Sequence, residues 1–234
     1  MKIAISQPTF LPWQGYFALI DYVDEFIFLD NVQFDKRSWQ QRNYIKLDDK
    51  KRIFTIPVIS KNKSDQKINE VKIDYKNFKV EKFLMLIKHS YKKSSYFELY
   101  YERIQKILRK NSLHLSKINQ DLIIDICSML NIKTKFYNAS SMKLSNELKK
   151  TDLLREICKK KKCTQYISSY GATSYMGDMS QFPETNIKIN YFEYENRKYN
   201  QIGDKFISNL TILDLIFNEG PHSLEIIREN FKVL

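Results

Sequence analysis

Most of the side chains with chemistry to offer fall in three loops. The first is Gln7-Pro8-Thr9-Phe10-Leu11-Pro12-Trp13-Gln14-Gly15-Tyr16. Its prolines, Pro8 and Pro12, stiffen the turn, and Gly15 would let a ligand approach the backbone of a helix's first turn. The alternative is a rigid strand-to-helix corner packed by Trp13 and Phe17. The second loop runs over residues 30–43 and is dense in amides and guanidinium groups. Asp30 at the end of a strand can act as a base or orient an amine, and Arg37 and Arg42 offer planar forks suited to a diphosphate. A solvated loop with routine ion pairs has the same composition. The third loop, Ser168-Ser169-Tyr170-Gly171-Ala172-Thr173-Ser174-Tyr175, carries hydroxyls and N–H groups able to hold an anion, although Ser and Gly also fill ordinary turns.

Other nucleophiles and ligands are less well placed. His89, His114 and His222 are scattered, with no Ser, Cys or metal-ligand partner at a recognisable spacing, so no metal site is expected. Cys127, Cys158 and Cys163 form no CxxC pair and read as free thiols. A thiol beside the lysines of 159–162 would have a lowered pKa, but no catalytic partner is visible there.

The elements that must position these loops alternate. Residues 3–6 read as a buried strand, 13–23 as a helix entered through Pro12, and 26–29 as a second strand closed by Asp30. Short strands follow at 53–58 and 71–73, with a polar loop at 60–67 between them. Apolar residues at three- and four-residue spacing predict helices over 79–92, 96–109 and 113–130, a helical subdomain at 77–131. A strand at 134–137, a helix at 145–160 and strands at 166–168 and 187–194 come next. A helix at 211–217 stopped by Gly220 and a last helix capped by Ser223 complete the chain. The pattern predicts a single α/β domain over 1–234 built on a mainly parallel sheet. In such a sheet ligands gather at the carboxyl ends of the strands.

With 43% hydrophobic and 28% charged residues in a 234-residue chain, and only five Gly and five Pro, collagenous, low-complexity and disordered classes are excluded. No apolar run approaches the ~18 residues of a membrane span. The N-terminus has no room for a secretory signal, so the expected compartment is the cytoplasm. The 39 basic residues outweigh 27 acidic ones to give +12. That charge speeds encounter with an acidic protein, a phosphorylated metabolite or nucleic acid, and is also what codon drift in an AT-rich genome produces.

Ile5-Ser6-Gln7-Pro8, Leu11-Pro12-Trp13-Gln14-Gly15-Tyr16-Phe17 and Asp30-Asn31-Val32-Gln33-Phe34 stand in the order and spacing of the bacterial WbqC-like family, which the chain resembles over nearly its whole length. Arg42-Asn43-Tyr44-Ile45-Lys46, Thr55-Ile56-Pro57-Val58, Tyr166-Ile167-Ser168 with Gly171, Ala172 and Tyr175, Gln201, and residues 213–220 match as well. Glu195 to Asn200 departs from the family, in which that segment often reads His-Pro. The resemblance implies O-antigen or surface-glycan biosynthesis: transfer of glycine or alanine from an acyl or peptidyl carrier protein to a dTDP- or UDP-linked amino sugar. The donor would be a phosphopantetheine thioester, with no tightly bound cofactor and no nucleic-acid partner. In that reading Asp30 orients or deprotonates the amine, Gln7 and Gln33 hold the reacting groups, and Arg42 with Asn43 holds the diphosphate. Pro12, Trp13, Gly15 and Tyr16 with Ser168, Gly171, Tyr175 and Gln201 would line the substrate, Trp13 and Tyr16 by stacking. The opening also resembles HIGH-motif nucleotidyltransferases, but Thr9 and Tyr16 replace the expected histidines. A non-catalytic sugar-nucleotide module would use the same loops.

Overall fold

Ile3, Ala4 and Ile5 are buried together, as only an inner strand covered on both faces requires. The structure, a computed structural model, describes residues 1–145, 147–169 and 179–234. Its elements in chain order begin with β1 (Lys2–Ser6), α1 (Gln14–Tyr22), β2 (Glu25–Phe28), β3 (Arg42–Leu47) and β4 (Lys50–Thr55). Helices α2 (Val80–Tyr91), α3 (Phe97–Leu108) and α4 (Leu115–Met129) precede β5 (Lys135–Asn138), α5 (Lys150–Lys160), β6 (Gln165–Ser169) and β7 (Lys188–Tyr194). Then come α6 (Ile212–Glu219), α7 (Ser223–Glu229) and β8 (Phe231–Val233).

The main sheet has the order β5-β2-β1-β6-β7-β8. All its pairings are parallel except the edge pair β7–β8. The chain therefore works outward from β1 through β2 to β5 and then returns past β1 to β6. At the β1/β6 boundary the connections leave in opposite directions, which is where ligands gather at the carboxyl edge of such sheets. Helices cover both faces, giving the α/β fold expected.

Strand alternation divides the core in two. Ala4, Phe26, Phe28, Ile167 and Phe192 point to the face covered by α1 and the helical middle. Ile3, Ile5, Ile27, Tyr166 and Ile189 point to the other face, against Leu153, Leu154 and Ile157 of α5. Helices α2 to α4 share the first cluster with β1 and α1, so residues 77–131 pack as part of the main core.

Several expected elements differ. Arg42 and Asn43 do not end a loop but begin β3, which pairs with β4 in a separate antiparallel hairpin. Its two-residue turn places Asp48 and Asp49 at φ 49° and 53°, the conformation that matches hairpin twist. Residues 71–73 form only isolated bridges, Val58 to Ile73 and Lys72 to His114. Helix α5 starts at Lys150 rather than Ser145, because Leu148 N–H closes a turn on Ser145 O and Lys150 itself stands at φ 48°.

Candidate active site at the carboxyl edge of the sheet

The first loop leaves β1 with nearly every carbonyl taken. Phe10 and Leu11 are fully buried, and Leu11 is held at φ 43°, a left-handed conformation that a leucine adopts only under constraint. The constraint is Asn43, whose Nδ2 donates to Phe10 O at 3.1 Å and to Leu11 O at 2.6 Å. Asn119 of α4, fully buried, donates to Pro8 O at 3.0 Å and to Gln40 O at 2.8 Å. Gln40 Nε2 donates to Gln7 Oε1 and the Tyr16 hydroxyl to Gln7 O, both at 2.9 Å. Burial keeps the Tyr16 phenol protonated by pushing its pKa up. Phe10 N–H completes the seam on Trp39 O at 2.9 Å. The first and second loops are thus one hydrogen-bonded body beside β1.

Two clefts flank that body. Gln7 lines one and Ser6 with Thr9 the other, as alternate residues leaving a strand point opposite ways. The aromatic cleft, about 430 Å³, is walled by Trp13, Tyr16, Trp39 and Tyr44. Trp39 is 51% exposed. Its ring lies 5.7 Å from that of Tyr44, with the Arg42 guanidinium 6.0 Å from the Trp39 ring centre and Lys51 Nζ 5.6 Å from that of Tyr44. Thr9 Oγ1, on the cleft lining, and Arg42 Nε, outside it, are buried without a hydrogen-bond partner. The second cleft, about 670 Å³, has walls from Leu29, Val32, Leu153 and Leu154 and lysines at 67, 149 and 150. Among the described residues no carboxylate, histidine or cysteine lines either cleft.

The residues singled out from sequence take different places. Pro12, Trp13, Tyr16 and Asn43 line the aromatic cleft, and Gln7 and Gln33 the second one. Gln33 Nε2 donates to Ser64 O at 3.1 Å. A Cβ at Gly15 would overlap the Trp13 indole, so the glycine makes room for Trp13. Asn43 is spent on the first loop and on its neighbour's N–H, Tyr44 N donating to Asn43 Oδ1 at 2.8 Å. Arg42 has no carboxylate partner among the described residues. Asp30, 2% exposed, lines neither cleft. Its oxygens accept from Ser140 N at 2.8 Å and Ser140 Oγ at 2.7 Å, joining the ends of β2 and β5. Ser168 is buried within β6. Gly171 and Tyr175 lie outside the described residues. Gln201 clips its own loop, exchanging two 2.8 Å bonds with the backbone of Ile207.

Sequence reasoning passed over Gln40 and Asn119. Asn119 had a signal, since it stands four residues after Leu115 and three before Leu122, on the apolar stripe of α4. A short polar side chain in that position is either a defect or a clamp.

The family model of the WbqC-like proteins matches residues 7–226, a span holding both loops and, Ser6 apart, the lining of both clefts. The chain belongs to the WbqC-like protein family. This WbqC-like chain is also 35% identical over 229 residues to the uncharacterized protein Rv1507c of Mycobacterium tuberculosis (strain ATCC 25618 / H37Rv), covering 97% of each. No solved structure matches it. Among the described residues of the WbqC-like fold, no helix is long and apolar enough to cross a membrane and no group of His, Cys, Asp and Glu is placed to hold a metal ion. The three thiols are free and buried.

A second polar cluster lies away from both clefts. Asp214, fully buried in the first turn of α6, accepts from the Tyr199 hydroxyl at 2.8 Å, and its Oδ2 has no partner. Tyr91, Lys46 and Gln201 also face it, and burial pushes its pKa up to about 6 from 3.8. The folded state therefore holds this proton more tightly than the unfolded chain. The group's contribution is most favourable below pH ~4 and is lost as pH rises through 6, a swing of roughly 3 kcal/mol. Asp214→Asn keeps the Oδ1 acceptor and removes the titration. Urea unfolding at pH 4.5 and 7 should show the parent's fall in stability reduced by about 2 kcal/mol in the variant. An unchanged pH dependence would take Asp214 out of the account.

Proposed function

We propose that this protein forms an amide by passing an aminoacyl group from a carrier-protein thioester to the amine of a nucleotide-linked amino sugar. The observation that carries the reading is the pair of unlike clefts on either side of the end of β1, one lined by Gln7 and the other by Ser6 and Thr9. A two-substrate transfer needs two adjoining sites, one of which suits a base and sugar. Aromatic faces with Lys51 and Arg42 beside them fit that partner.

In the reaction the amine nitrogen attacks the thioester carbonyl, a C–N bond forms, the C–S bond breaks, and the sulfur leaves as a thiol with the proton the amine gives up. Holding the two groups in line supplies much of the acceleration, and no covalent nucleophile is required. With no carboxylate or histidine lining the clefts among the described residues, the amine's own ionisation sets the rate: kcat/KM should climb with pH until the amine is free.

Asp30 works through Ser140 in this reading, as a positioning residue. Asn at 30 keeps an acceptor for Ser140 N–H and gains a donor for its hydroxyl, so Asp30→Asn should leave kcat within roughly threefold, whereas a general base would lose about 100-fold or more. A loss of that larger size, with the pH profile flattened, would restore Asp30 as the base.

The reading itself is tested by incubating the protein with a UDP- or dTDP-linked 4-amino sugar and glycyl- or alanyl-carrier protein. Mass spectrometry should show the amide. Product only with ATP and free amino acid would place the chemistry with adenylating enzymes, and tight sugar-nucleotide binding without product under either regime would make the protein a binding module.

A further inference from the structure

We propose that the cleft between the second loop and α5 is the seat of the donor's phosphopantetheine arm, with Lys149 and Lys150 on its phosphate. The assignment rests on the transfer reading above and adds which cleft takes which substrate.

Electrostatics supplies the first argument. Lys149 and Lys150 stand at the N-terminus of α5, an 11-residue helix whose dipole already makes that end positive. Neither has a carboxylate partner among the described residues, and the acid of the first turn, Asp152, is paired with Arg155 at 2.9 Å. Two cations at a positive pole repel one another. A bound phosphate converts that arrangement from costly to favourable.

The rest of the cleft restricts what the phosphate is attached to. Leu29, Val32, Leu153 and Leu154 offer an apolar wall, and Gln7 and Gln33 put side-chain amides on the same cleft. The fitting ligand is an aliphatic chain that carries amide N–H groups and ends in a phosphate, which is the makeup of phosphopantetheine. A volume of about 670 Å³ is within the range of small-molecule sites. Gln7 shares this cleft, so an arm lying in it brings its thioester to the end of β1, beside the aromatic cleft. A nucleotide fits worse, for want of an aromatic face.

Placement along α5 adds a control. Lys159 to Lys162 lie at the other end of the helix, where Lys161 pairs with Glu25 at 2.6 Å and sits 3.2 Å from the Tyr137 ring centre. Glu25 opens β2, so those lysines belong to the amino edge, away from both clefts.

Calorimetry with 4′-phosphopantetheine, pantetheine and inorganic phosphate as probes tests the assignment on the intact protein. Phosphopantetheine should bind at least about tenfold more tightly than either fragment. The Lys149→Gln/Lys150→Gln variant should lose about that factor for phosphopantetheine and almost none for pantetheine, while Lys159→Gln/Lys160→Gln changes neither. Equal binding of pantetheine, phosphate as strong as the whole arm, or insensitivity to the rim variant would overturn the assignment. Amide formation with arm binding unaffected by the rim would do so while sparing the transfer reading. Rim-dependent arm binding with no amide product would sink the transfer reading and leave the cleft assigned.

Discussion

Asn119→Leu is expected to lower the unfolding free energy by about 2–5 kcal/mol, because it strips the donor from two buried carbonyls at once. Leucine has the same branched shape but bulkier methyl groups, so some overpacking adds to the lost hydrogen bonds. Pro8 O and Gln40 O would be left without the Nδ2 they share at 3.0 and 2.8 Å. These carbonyls lie on different loops, so the variant should also loosen the first loop from the second and weaken sugar-nucleotide binding at Trp39 and Tyr44. Urea unfolding followed by tryptophan fluorescence measures the first effect, and titration with UDP the second. A change below about 1 kcal/mol, with UDP affinity intact, would mean that water replaces the amide and that the two loops hold together without it. Asn119→Asp separates the parts, since it keeps the shape but presents acceptors to acceptors, and should be worse than leucine.

That clamp shows why only part of the site was legible in the sequence. β1, α1 and β2 were readable because each is an apolar run of the right period, and the strands bury both faces. Such runs place the carboxyl edge, and with it both loops. The hairpin β3–β4 was readable only in part: the strand expected at 53–58 overlaps the end of β4, but on β4 only Phe54 is buried, so no apolar stripe announces its start or its pairing with β3. β8 has three residues and takes its strand character from β7 alone.

Roles within the site depended on contacts that spacing does not encode. Gly15 answers to a ring two residues away. Asp30 answers to Ser140, and Gln201 to Ile207. The lysine runs at 149–150 and 159–162 look alike as sequence, yet they occupy opposite ends of one helix about 16 Å long. A helix that precedes a parallel strand starts over the carboxyl edge and ends at the amino edge. The topology therefore decides between the two runs, and it selects the first.

Gln7 is the residue at which activity should be most sensitive. Its backbone oxygen is held by Tyr16 and its Oε1 by Gln40, which leaves Nε2 as the group with no protein partner among the described residues. That end of the amide is therefore available to donate to the thioester oxygen as it gains charge in the tetrahedral intermediate. A donor preset by two buried partners costs no reorganisation when the charge appears. Gln7→Ala should lower kcat by about 100- to 1,000-fold, the usual effect of losing one oxyanion donor, with KM for the sugar nucleotide little changed. Gln7→Glu is the sharper test: it keeps the size but sets a negative charge where negative charge develops, so it should be at least as slow as alanine and recover in part, relative to the parent at the same pH, as pH falls toward the carboxyl pKa. Gln40→Leu leaves Gln7 in place but frees its amide to rotate, and should fall between parent and Gln7→Ala in kcat. If Gln7→Ala instead raised KM with kcat intact, Gln7 would be a binding contact of the second cleft, and the oxyanion would have to be met by the backbone N–H groups of the adjoining loops.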